Sequence, residues 1–84
     1  MRAPRRFQLS RTPTPSEVRV INLLAKGYTV AEAAEWLDVS DKTVEAHKYN
    51  VMKRMGLHTT GQMIAWAIAG GYIDVIEVLR EAKV

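Results

Sequence analysis

Cysteine is absent from the 84-residue chain, which excludes disulfides and thiolate metal sites. That absence fits the reducing interior of a cell, and the expected location is the cytoplasm. No apolar run approaches the roughly 18 to 20 residues that a membrane span requires. The arginines near the N-terminus are followed by no apolar segment, so Met1 to Gln8 do not form a secretory signal. Strand patterns are missing as well. The chain carries no phosphate-binding glycine motif and no catalytic constellation, so it does not read as an enzyme. Its two histidines, His47 and His58, have neither cysteine nor an acidic cluster beside them. No metal, cofactor or small-molecule ligand is expected.

The composition is 48% hydrophobic, enough for one small domain with a thin core. Chains of this size often gain stability by oligomerising or by binding a partner. The net charge of +3 is unevenly spread. Residues 1–13 hold Arg2, Arg5, Arg6 and Arg11 and no acid, whereas the remainder holds eight basic and nine acidic side chains. A basic arm on a near-neutral body suits an anionic polymer, although basic tails also serve solubility alone.

Helix starts are written four times. In "TPSE", Thr14 is an N-cap, Pro15 stands at the first helical position and Glu17 reaches back. "TVAE" repeats the capping box with Thr29 and Glu32, "VSDKTV" offers Ser40 with a Val39–Val44 staple, and "TTGQ" gives Thr59 with Gln62. Gly27, Gly56 and the Gly70-Gly71 pair supply the stops. The expected helices are 15–26, 30–37, 41–55 and 60–69. Only "DVS" separates the second from the third, a helix-turn-helix spacing whose second helix often enters the DNA major groove. Bundles that never touch DNA use the same turn. The expected core is Val20, Ile21 and Leu24 from helix one, Ala33, Ala34 and Leu37 from helix two, and Ile64, Ala67 and Ile68 from helix four.

Advancing 100° per residue along helix three puts Val51 and Met55 beside Val44, with His47 at the margin. Lys42, Glu45, Ala46, Tyr49 and Lys53 fall on the opposite side. A face that only gripped phosphate would be uniformly basic. This one mixes lysine, which suits guanine O6 and N7, with glutamate for cytosine N4 and alanine for the thymine methyl. The plainer alternative is a solvated face with local ion pairs, such as Lys42 with Glu45.

From "TPSEVRVINLLAKG" through "VSDKTVEAH", Asn50 and the closing "MG" to "GGYI", the chain resembles the LuxR-type helix-turn-helix domain. The resemblance covers Thr14 to Ile73. It implies an all-α, four-helix domain that places helix three in the major groove, and a transcriptional regulator that dimerises through helix four on an inverted-repeat operator of double-stranded DNA. Carried over by position, Glu45, Ala46 and Tyr49 would touch base edges. Lys42, Thr43 and Lys48 would touch backbone or flanking bases, and Thr29 with the first turn of helix two would meet a phosphate. Ser40 and Lys53 complete the expected DNA-binding set. Three positions depart from the family pattern: Ala31 where lysine is frequent, Ala33 where a larger aliphatic is usual, and Tyr49 where a smaller residue is common.

On helix four, Gln62, Ala65, Trp66 and Ala69 form a stripe suited to a homodimer with one aromatic anchor; otherwise Trp66 covers the core edge. Trp36 points away from the alanines of helix two, toward Phe7 and Leu9 of the arm or toward a partner. Past Ile73, "DVIEVLREAK" predicts a short fifth helix with Asp74 as cap and a stripe of Val75, Ile76, Leu79 and Ala82. The expected organisation is therefore a basic arm over 1–13, the helix-turn-helix domain over 14–73 and a helical extension over 74–84. Thirteen residues before helix one leave no room for a sensor, so a stand-alone regulator is expected. Two other readings stay open: a sigma region 4-like module that binds both promoter DNA and RNA polymerase, and an anti-regulator that pairs through helix four, whose mark would be loss of the basic face that Lys42, Lys48, Lys53 and Arg54 here retain.

Overall fold

Thr14 shows why the first helix begins where it does. Its side chain accepts from the Glu17 N–H at 3.1 Å, while its own N–H donates to the Glu17 carboxylate at 2.9 Å. In the computed structural model, which describes residues 12–84, this box opens α1 at Pro15–Ala25. Residues 1–11, and with them Phe7, Leu9 and the arm's arginines, lie outside the described residues. The same reciprocal box between Thr29 and Glu32 opens α2, Val30–Leu37. Ser40 caps α3, Asp41–Met55, by accepting from the Thr43 N–H at 3.1 Å. Thr59 caps α4, Thr60–Ala69, but Gln62 does not close the expected box with it. The Gln62 side-chain oxygen instead accepts from the His58 N–H at 2.7 Å, one residue earlier. Each such cap stabilises its helix by about 1 kcal/mol.

The turn between α2 and α3 is held by Asp38, a residue that neither capping pattern nor glycine content singles out. Asp38 adopts the left-handed conformation, φ 57°, and the Val39 N–H donates to the Ala34 carbonyl at 3.0 Å. This Schellman-type closure reverses the chain within "DVS" and fixes the angle at which α3 leaves α2. Gly56 ends α3 in the same way at φ 70°, with the Leu57 N–H on the Met52 carbonyl, where a side chain would add strain.

Two buried clusters carry the packing. Val20, Ala33, Ala34 and Val44 join α1, α2 and α3, and the two alanines let α3 approach α2 closely. Ile21, Val51, Met55, Met63, Ala67, Ile73 and Val78 join α1 and α3 to the C-terminal half. Burying side chains of the size of Ile21, Met55 or Met63 contributes about 1.5–3 kcal/mol each. The helix-three stripe is as expected. On α4 the fully buried residues are Met63 and Ala67, with Ile64 and Ile68 only half-buried against them.

The C-terminal extension does form a helix, α5 at Val75–Arg80, capped by Asp74. Its packing differs from the expected stripe: Val78 is buried, while Val75, Ile76 and Leu79 are exposed, Leu79 by 67%. The reason is polar. The Lys83 N–H donates to the Lys26 carbonyl at 2.8 Å, and Lys26 pairs with Glu81 at 2.6 Å. Lys83 pairs with Glu32, and its ammonium lies 5.9 Å from the centre of the Tyr28 ring. These contacts rotate the extension so that Val78 meets the core.

Candidate nucleic-acid interface

The outer face of α3 is presented by a helix gripped on its other side by Val44, Val51 and Met55, all fully buried. Lys42, Glu45, Ala46, Tyr49 and Lys53 are all exposed on it, as the periodicity requires. Tyr49 is 61% exposed, and the Lys53 ammonium lies 5.8 Å from its ring centre. That cation–π contact extends the tyrosine outward beside a positive charge. Glu45 pairs with Lys48 at 3.8 Å rather than with Lys42. Lys42 therefore stands without an ion-pair partner among the described residues, in the first turn of the helix.

Ser40 and Thr43 are tied into the start of the same helix, their hydroxyls 3.0 Å apart. The two share one hydrogen bond, which leaves one O–H to donate outward. Thr29 is exposed at the start of α2, where its side chain accepts from the Glu32 N–H at 3.1 Å. Of the sequence-expected set, Lys42, Thr43, Glu45, Ala46, Lys48, Tyr49 and Lys53 share one helix with the Ser40 cap. Thr29 is contributed separately, by α2.

Arg54 belongs elsewhere. Its guanidinium meets the Glu17 carboxylate with two hydrogen bonds, at 2.6 and 3.2 Å, so it is structural and takes no part in the cationic face. Burial pushes the Glu17 carboxyl up, but the hydrogen bonds from Arg54 and Thr14, the Arg54 charge and the nearby His47 outweigh it. The result is a pKa below the ordinary 4.5. The same pair raises Arg54. At Glu32, the hydrogen bond from Lys83 and then that from the Thr29 N–H lower the carboxyl. No local pattern reveals these pairs, because Glu17 and Arg54 stand 37 residues apart and Glu32 and Lys83 stand 51 apart.

The α4 stripe lines a groove of about 560 Å³ with Gly56, Leu57 and His58. Gln62, Ala65 and Ala69 are exposed, whereas Trp66 is half-buried against the core and its ring centre lies 5.2 Å from that of Tyr72. Gly70 sits so close to Tyr72 that a Cβ there would fall 2.5 Å from the ring. Trp36, 65% exposed, meets Tyr28 edge-on at 5.9 Å.

A rigid helix-turn-helix whose second helix offers an exposed face of mixed charge defines a DNA-binding module of the regulatory kind. The family model of bacterial regulatory proteins, luxR family, matches residues 12–67, and the chain belongs to that family. Its relatives include the Oxygen regulatory protein NreC of Staphylococcus aureus strains JH9, JH1 and USA300. Each is 44% identical over 52 residues, covering 62% of this chain and 24% of the relative. The chain thus spans about a quarter of the length of the curated relatives it matches. No solved structure gives a significant match. Among the described residues, no helix is long and apolar enough to cross a membrane.

Proposed function

We propose that the chain is a sequence-specific double-stranded DNA-binding transcriptional regulator that docks α3 in the major groove. The observation that carries this reading is the exposed, chemically mixed face of α3 held by the buried Val44, Val51 and Met55. Glu45, Ala46 and Tyr49 read base edges, with Ala46 allowing close approach. Ser40, Lys42, Thr43, Lys48 and Lys53 hold the flanking backbone, and the Thr29 hydroxyl meets a phosphate beside the positive end of α2. Two copies pair through Gln62, Ala65, Trp66 and Ala69 to bind an inverted repeat. The small exposed side chains around Trp66 support that pairing.

An anti-regulator that only pairs with protein would have no need of cations on α3, and Lys42 and Lys53 stand exposed there. Selection from a random duplex library at physiological salt tests the proposal. An enriched inverted repeat with half-sites about one helical turn apart supports it. Uniform recovery of all sequences refutes specific reading. Lys42→Ala with Lys48→Ala should weaken binding and reduce its salt slope by about 2.

A further inference from the structure

We propose that the groove beside Trp36, between α1 and α2, docks a partner protein through a segment that carries an apolar anchor next to a carboxylate. The inference goes beyond the DNA-binding reading, because the groove shares no residue with the α3 face or the α4 stripe. Trp36 motivates it first. α2 buries Ala33 and Ala34 and packs a half-buried Leu37 against the core, so the fold needs no large apolar group on the outward side of that helix. Trp36 nevertheless stands there 65% exposed, with the Tyr28 ring edge-on at 5.9 Å. Beside it, Leu23 and Leu37 line a groove of about 350 Å³ together with Arg19. The apolar surface continues past Leu37 to Val39, itself 42% exposed. Exposed apolar surface gathered into one patch marks an interaction site. Tryptophan, tyrosine and arginine are also the residues enriched where partners bind most strongly, and all three meet here.

Charge selects the occupant. Lys26 in the groove is paired with Glu81 at 2.6 Å, whereas Arg19 meets no acid among the described residues. Its guanidinium donates to the Ser16 hydroxyl at 3.2 Å, which leaves most of its five N–H donors unused. The lining thus holds one uncompensated positive charge beside an apolar floor. Its complement is a carboxylate next to an aliphatic or aromatic side chain. A second copy of the chain does not supply that complement, because a symmetric contact on this face would bring two Arg19 charges into one interface. A nucleic-acid strand is no better suited. Glu32, Glu35, Asp38 and Asp41 line the next groove along α2 and repel a polyanion.

A random peptide library displayed on phage tests the proposal. The full chain is the bait, and peptides that also bind its Trp36→Ser variant are removed, circular dichroism verifying equal folding. Enriched peptides should pair aspartate or glutamate with an aromatic or aliphatic residue. The synthesised consensus should bind the Trp36→Ser variant about 30-fold more weakly. Arg19→Glu should weaken it by at least about tenfold, and exchanging the peptide's carboxylate for lysine should restore binding to that variant. No enrichment, enrichment of peptides without an acid, or a charge reversal without effect overturns the proposal. So does a change in oligomeric state on Trp36→Ser, read by sedimentation velocity, which would put a second copy on the groove.

Discussion

Replacing Arg54 with methionine keeps most of the side-chain volume and removes the partner of a buried carboxylate. Glu17 is 4% exposed and would retain only the Thr14 N–H as a hydrogen-bond donor. Breaking a buried ion pair costs about 3–5 kcal/mol. Arg54 is itself partly exposed, its side chain by 27%, so water can reach the gap and about 2–4 kcal/mol is the expected loss. An 84-residue domain has about 4–13 kcal/mol in total. Urea unfolding at pH 7, followed by circular dichroism, should show the midpoint falling by roughly 2–4 M for a slope near 1 kcal/mol per molar. The pH dependence carries the sharper test. In the unaltered chain the Glu17 pKa lies below 4.5, so its contribution is complete above that value. It disappears as pH falls through the folded pKa. A protonated Glu17 no longer needs Arg54, so the gap between the two proteins should narrow on acidification below 4.5. A loss under about 1 kcal/mol at pH 7 would fall short of the buried-pair range. That result, or a gap constant from pH 7 into the acid range, would show that the pair does not stabilise the fold as argued.

Asp38→Gly relieves the left-handed backbone at φ 57° and should leave stability unchanged or raise it by up to about 1 kcal/mol. Asp38→Val should lower it, and thermal unfolding of both variants reads the sign. On α5, Val78→Ala should cost about 1.5–2.5 kcal/mol because Val78 is buried. Leu79→Ala should change stability by less than about 0.5 kcal/mol, and equal effects in urea titrations would contradict the observed rotation of the extension.

Much of the fold was legible in the sequence because helix ends are local events. Thr14 with Glu17, Thr29 with Glu32, the Ser40 cap and Gly56 each act within a few residues, and all are observed. The Val44, Val51 and Met55 stripe, and so the outward placing of Tyr49 and Lys53, followed from helical period alone. Helical period pointed to the wrong side of α5. In a six-residue helix the apolar period is weak, and the distant Lys26 and Glu32 settled the rotation. Period also passed over Met63 on α4, a helix apolar enough around its circumference that no single side stood out as buried.

By itself, then, the sequence determined where the helices start, where α1, α3 and α4 stop, which face of α3 is outward and what chemistry that face carries. Only the tertiary structure decided that Arg54 serves the fold rather than the cationic face, and that Lys83 and Val78 bind the extension to α1 and α2. The physical reason is reach. Caps and periodicity depend on neighbours within a turn or two of helix, whereas an ion pair between residues 37 or 51 positions apart exists only once packing has brought its partners together.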